Sequence, residues 1–252
     1  MQKFSTTTLL ITLTMTISLT FFRCGTSKKS QSLNKPVRIS RAVIMTKGPC
    51  FGNCGVYSIT VLQNGIALLE GKEHVELKGV YFTELNDDVF SSLVRDLKKI
   101  DHSKLQDRYF INIPDLPSTA FQFYNTQGEK IKEVTSNTKL PDDLQEIQSK
   151  LANISKSSAW TQIQKKEDMI NPEIIYNELQ IDLDSSYTVE NLISDYSLYN
   201  LKVVHKLSPF MNLYLVTYDG ESIGKYEMLL TLRRQKGVRT ALFNRKLKSR
   251  EE

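Results

Sequence analysis

Two cysteines four positions apart, Cys50 and Cys54, sit in Gly48-Pro49-Cys50-Phe51-Gly52-Asn53-Cys54-Gly55-Val56-Tyr57, the stretch of this chain densest in residues that could do chemistry. Thiols at this spacing support a short disulfide, thiol–disulfide exchange or ligation of a soft metal. Exchange pairs ordinarily use Cys-x-x-Cys at a helix N-terminus, where the dipole lowers a thiol pKa. This pair is Cys-x-x-x-Cys and leads into Val56 to Leu62, which alternates like a strand. A metal needs further ligands, and His74, His102 and His205 stand singly with no ligand spacing. A bridge across the five-residue loop would remove about 2 kcal/mol of unfolded-chain entropy and would chiefly set the loop's shape. Gly48, Pro49, Phe51, Gly52 and Tyr57 are the candidate loop residues with the pair. Asp115, in Ile113-Pro114-Asp115-Leu116-Pro117-Ser118, is the acid most easily taken for a catalyst. A lone acid between prolines reads as a turn-capping group. No nucleophile, base and acid can be assembled, so no enzyme, cofactor or metal is expected.

The elements that would position these residues follow from periodicity and turn chemistry. Ile39 to Met45 is a strand candidate ahead of the cysteine loop. Val56 to Leu62 and Ile66 to Leu69 flank Asn64-Gly65, the strongest short hairpin signal, and a further strand covers Val75 to Phe82 around Gly79. Leu85, Val89, Leu93, Leu97 and Ile100 fall on one helical face, with Asp87 and Asp88 in the first turn, where acids suit the dipole. The prolines make Asp107 to Ser118 an extended loop. Thr119 to Tyr124 and Lys130 to Thr135 form a second hairpin around Thr126-Gln127-Gly128. Pro141 then opens a helix through Leu144, Ile147, Leu151 and Ile154.

The N-terminus bears on the thiols. A short positive start, an apolar run from Leu9 to Phe22 and then Arg23-Cys24-Gly25-Thr26-Ser27-Lys28-Lys29 read as a secretory signal over 1–23. The junction resembles that of bacterial lipoproteins, which implies lipidation at Cys24. An uncleaved signal anchor is the alternative, since Phe4 to Phe22 is just long enough to span a bilayer. Either route predicts export, a serine- and lysine-rich tether over 24–37, a membrane partner and a cell-envelope location facing the periplasm or the surface. With Cys24 assigned to lipid, Cys50 and Cys54 remain as an even pair in a compartment that permits disulfides.

Charge argues against nucleic acid. Residues 233–252 carry eight Lys and Arg against Glu251 and Glu252, which is +6 of a formal total of +5, so the rest of the chain sums to −1. A basic tail without a recognition motif or an aromatic platform reads as solvated surface. A hydrophobic fraction of 40% in 252 residues leaves room for two modest cores.

Gly-Pro-Cys-Phe-Gly-x-Cys-x-Val-Tyr, the Asn-Gly turn, Gly79-Val80-Tyr81 and Asp115-Leu116-Pro117-Ser118 together resemble a family of uncharacterised envelope lipoproteins found mainly in Bacteroidota. The resemblance covers about 120 residues and implies location and fold without chemistry. It departs at Gly55, where the family pattern has proline after the second cysteine.

Past Trp160 the composition changes. Residues 161–171 are polar and charged and read as a linker between a domain at 38–160 and another at 172–252. In the latter, Ile174 to Leu183 is extended, Thr188 to Tyr196 is helical, Leu201 to Leu207 and Leu213 to Tyr218 are strands, 221–235 is a helix that Gly237 stops, and Val238 to Asn244 is a strand. That β-α-β-β-α-β order is the ferredoxin-like split unit. The predicted class is α+β: two small domains, the first of β-hairpins with two packed helices, the second ferredoxin-like.

Val203 to Val216, Leu229 to Arg234 and Gly237 to Arg245 resemble the N-terminal pro-domain of secreted subtilisin-family serine proteases. The resemblance implies a domain that packs its sheet on a protease and lays its C-terminal tail along the substrate cleft. Carried onto this chain, Val238, Thr240, Leu242, Asn244 and Arg245 become the candidate protease-binding residues. In such proteases a catalytic domain follows; here no Asp, His and Ser triad can be assembled. A stand-alone partner of a subtilisin-like protease, a ferredoxin-like fold used for something else, and a severed protease precursor are the three readings of this domain. A structural or redox-linked envelope lipoprotein acting through the Cys50/Cys54 loop is the alternative for the whole chain.

Overall fold

The first seven strands and two helices build one layered half of the chain. In the computed structural model, which describes residues 36–156 and 159–246, β1 (Arg41–Lys47), β2 (Val56–Leu62), β3 (Ile66–Glu73) and β4 (Gly79–Glu84) form an antiparallel meander. Asn64-Gly65 turns β2 into β3, with Gly65 at φ +82°, a conformation glycine adopts without strain. Helix α1 (Asp87–Lys99) is capped by Asn86, whose side chain accepts from the Val89 amide at 2.9 Å. After β5 (Arg108–Tyr109), the hairpin of β6 (Thr119–Tyr124) and β7 (Lys130–Ser136) joins the other edge of β1, and α2 (Asp142–Ser155) follows. The helices lie over one face, where Leu93, Leu144, Ile147 and Leu151 meet Val43, Met45, Ile59, Val61, Phe121 and Phe123 in a common core.

The segment expected as a linker over 161–171 is part of the sheet. Thr161–Lys165 is strand β8, paired antiparallel with β4, and Lys166–Met169 is a single helical turn, α3. Its polar composition suits an edge strand, which is held by backbone bonds and needs few apolar side chains. The full sheet has eight strands in the order β5-β7-β6-β1-β2-β3-β4-β8.

The C-terminal part runs β9 (Ile174–Leu183), α4 (Val189–Asp195), β10 (Lys202–Lys206), β11 (Leu213–Thr217), α5 (Lys225–Arg234) and β12 (Val238–Arg245). Its strands pair antiparallel in the order β10-β11-β9-β12, the arrangement of a split βαβ pair. The class is therefore α+β, with hairpins and two packed helices first and a ferredoxin-like unit second.

The two sheets share helix α5. Met228, Leu229 and Leu232 face the four-stranded sheet with Leu179, Ile181 and Val216, whereas Tyr226 and Leu230 face the eight-stranded sheet with Leu62, Ile66, Leu68 and Val80. This explains why β2 and β3 are buried on both faces rather than alternating. Arg41 reaches Glu227 of α5 with two hydrogen bonds, and Glu227 also accepts from the Gly224 amide at 3.1 Å, closing the first turn of the helix. Among the described residues no helix is long and apolar enough to cross a membrane. Cys24, the signal segment and the tether through residue 35 lie outside the described residues.

Candidate functional site

The two motif segments that sequence alone could only place separately meet at one end of the eight-stranded sheet. β1 ends at Lys47 and β6 begins at Thr119, and these residues are cross-strand partners. Everything between them and the two flanking loops follows from that register. The Gly48 amide donates to Ser118 O at 2.9 Å, and the Phe51 amide donates to Asp115 O at 3.0 Å. A Cβ on Gly48 would lie 2.1 Å from Ser118 Oγ, so a larger residue there would require the serine hydroxyl to rotate away. Cys50 and Cys54 form a disulfide with Cα atoms 5.7 Å apart. Gly52 turns between them at φ +123°. The result is a clipped loop whose tip carries Phe51, 89% exposed.

Asp115 acts differently from the turn cap expected of it. It adopts φ +59°, its carbonyl receives the Phe51 amide, and its exposed carboxylate makes no hydrogen bond with the described residues. The conformation is one that Asp tolerates better than most side chains. What the motif needs at this position is backbone shape.

Lys47 and Thr119, which the sequence reading passed over, bring polar chemistry to the base of the loop. Lys47 Nζ donates to Thr119 Oγ1 at 2.8 Å, and burial pulls the lysine below its ordinary pKa. Tyr57 lies next to Lys47 in the β1–β2 ladder, and burial raises its pKa. Tyr57 and Gly55 line one wall of a cleft of about 680 Å³, and Trp160 lines it too. Pro49 and Gly52 are exposed and shape the loop. Among the described residues no group of three or more His, Cys, Asp or Glu is placed to hold a metal.

Residues 41–155 match a domain of unknown function, DUF6438. No curated protein and no solved structure gives a match. The DUF6438 span runs from the first residue of β1 to the last of α2, a little under half of the chain. It contains both motif loops and both helices of the first layer. Strand β8, which completes the sheet, and the whole ferredoxin-like unit lie beyond it.

The second group of candidates lies on β12. The register of the four-stranded sheet places His205, Leu215, Gln180 and Leu242 in one cross-strand row and Leu213, Asp182 and Thr240 in another. Ile181 and Ala241, between these rows, face the helices, so both rows point to the opposite face. On that face Leu242 is 54% exposed and His205 and Thr240 are exposed, whereas Leu215 and Asp182 are buried. The β10–β11 hairpin extends beyond it to Phe210, which is 96% exposed.

The edge of β12 is less open than its face. Arg233 Nε donates to Ala241 O at 2.9 Å, and Arg245 pairs with Asp168 at 3.3 Å. Asn244 is tied to Glu178 and Gln180, and Val238 opposes Leu183 at the start of the strand. Of the five candidates, Thr240 and Leu242 are therefore the two whose side chains stand on the free face.

Proposed function

We propose that the chain is a non-enzymatic envelope protein, tethered to a membrane through its N-terminal segment, whose C-terminal sheet binds a subtilisin-like protease as an inhibitor or folding partner. The observation that carries the reading is the asymmetry of the ferredoxin-like unit. Its helix side is consumed by the first sheet, through Tyr226 and Leu230, while the row His205, Leu215, Gln180 and Leu242 lies on the opposite face, where His205 and Leu242 are exposed and Leu215 is buried. A pro-domain of this kind engages its protease through the sheet, so attachment to the first domain by the helices leaves that surface available. The lipoprotein-like sequence around Cys24 and the likeness of the N-terminal half to envelope lipoproteins support the tethered location. The full chain is expected to slow a secreted subtilase of the same genome at sub-micromolar concentration. No effect on any of them would sink the reading.

A second reading is supported by the Cys50–Cys54 clip. An envelope protein acting through this loop would use the disulfide to hold Phe51 outward against a partner, or would exchange it. Exchange predicts reaction with a dithiol that vanishes in Cys54→Ser, and a bridge inert to reductant leaves only the structural form.

A further inference from the structure

Strands β8 and β12 are each the last strand of their sheet, and both wall a cleft of about 560 Å³. Its apolar lining includes Ile163, Ile174, Leu229 and Phe243. Two polar groups in it have bonding capacity left over. Gln164 is 8% exposed; its Nε2 is engaged with Tyr176 Oη at 3.1 Å, and its Oε1 has no hydrogen-bond partner. Leaving a buried acceptor unpaired costs about 1–3 kcal/mol, and this oxygen, with essentially no accessible surface, lies behind the cleft wall rather than on it. Arg233 is fixed by Nε on Ala241 O, and among the described residues its two terminal nitrogens have no partner. The charged side chains of the lining are Lys165, Arg233 and Arg245 against Asp168, which Arg245 already neutralises.

We propose that this cleft binds an extended peptide bearing a carboxylate, laid along β12 between the two sheets. The guanidinium fork of Arg233 takes the carboxylate through its free terminal nitrogens. The apolar lining of Ile163, Ile174, Leu229 and Phe243 takes the peptide's apolar side chains. A bare anion would satisfy Arg233 alone and leave the apolar walls without a partner. The volume suits a short segment and lies within the ordinary range for ligand sites, about 300–1,000 Å³. Gln180 and Leu242 line this cleft and also belong to the outward row invoked for the protease, so the two readings are told apart at Arg233, which lies on α5 outside that row.

The test is fluorescence anisotropy with the full chain and three labelled hexapeptides of alternating Thr and Val. The first has two Glu and a free C-terminus, the second two Gln and an amidated C-terminus, the third two Lys and an amidated C-terminus. The acidic peptide is expected to bind at least about tenfold more tightly than the other two, as a charge-assisted pair implies. Arg233→Gln, which keeps a donor for Ala241 O, should abolish that preference, and Lys165→Gln, an exposed position, should reduce it less. Amide hydrogen exchange should slow in β8 and β12 when the acidic peptide is present. Equal affinity for the three peptides, no binding by any, an unchanged preference in a folded Arg233→Gln chain, or slowed exchange confined to other strands would each overturn the proposal.

Discussion

Arg41 Nε and Nη2 meet the two carboxylate oxygens of Glu227 at 2.7 and 2.8 Å, a bidentate pair joining the first strand of one sheet to the helix that carries the other. The Glu227 side chain is nearly inaccessible, and the Arg41 side chain is partly buried beside Tyr124. The pair sits where the two halves of the chain share α5, so it reports on their union. Breaking a buried pair from one side strands the other charge, at a cost of about 3–5 kcal/mol. Arg41→Leu is therefore expected to lower unfolding stability by about 3 kcal/mol in urea titration. Adding Glu227→Gln should recover part of the loss, because the stranded carboxylate is removed. A single-mutant loss below about 1 kcal/mol would show that the pair is not needed to hold the sheets together.

Glycine placement gives a sharper local test. A Cβ on Gly71 would lie 1.8 Å from the backbone oxygen of Leu77, which cannot step aside, while a Cβ on Gly220 would meet nothing within 4 Å. Gly71→Ala should cost more than about 2 kcal/mol, at the upper part of the range for overpacking, and Gly220→Ala should leave the thermal midpoint within a degree or so. Equal midpoints for the two variants would contradict the close approach of the 74–78 turn to β3.

The Cys50–Cys54 bridge closes a short loop, so its removal should be mild. Cys50→Ala combined with Cys54→Ala is expected to cost about 2 kcal/mol. Faster amide exchange should be confined to Phe51 and its neighbours, whose bond to Asp115 O depends on the loop's shape. Global exchange at β1 and β6 would mean that the bridge supports the sheet itself.

Acid should act through Asp96. This buried carboxylate sits between α1 and α2, bonded first by Lys150 and then by Lys99, which hold its pKa down at about 2 against an ordinary 3.8. A depressed folded-state pKa means that the stabilisation is complete above pH 3.8 and is lost as pH falls from there towards 2. Urea titrations between pH 5 and 2 should show that fall, and Asp96→Asn should flatten it. An identical slope in the variant would remove Asp96 from the acid response.

Much of this architecture was legible because local chemistry and periodicity agreed. α1 announces itself through five apolar residues on one face and two acids in its first turn, and the Asn64-Gly65 turn fixes the β2–β3 hairpin. The ferredoxin-like order could be written from element types alone. β8 was not legible: Thr161–Lys165 has a single apolar residue, Ile163, and an edge strand held by β4 leaves no hydrophobic signature. The β4 strand starts at Gly79 rather than Val75, since His74 at φ +51° and Gly79 at φ +122° bend the chain between. At the candidate site the residue types were readable, but the contact of Gly48 with Ser118 and of Phe51 with Asp115 arises from the β1–β6 pairing, across some 70 residues. Periodicity carries no information at that range. The buried acceptor of Gln164 and the free fork of Arg233 were likewise invisible, because each depends on which edges the two sheets leave uncovered.

The most direct test of the central claim is inhibition of a secreted subtilase of the same genome by the full chain, measured beside a variant with His205→Glu and Thr240→Glu. Both substitutions lie on the outward face, on β10 and β12, where the side chains are exposed and the fold does not depend on them. The account predicts sub-micromolar inhibition by the natural chain and at least about a tenfold weakening in the variant, the cost of placing unpaired charge in an interface. Inhibition that the double substitution leaves unchanged, or none by either chain, would contradict it.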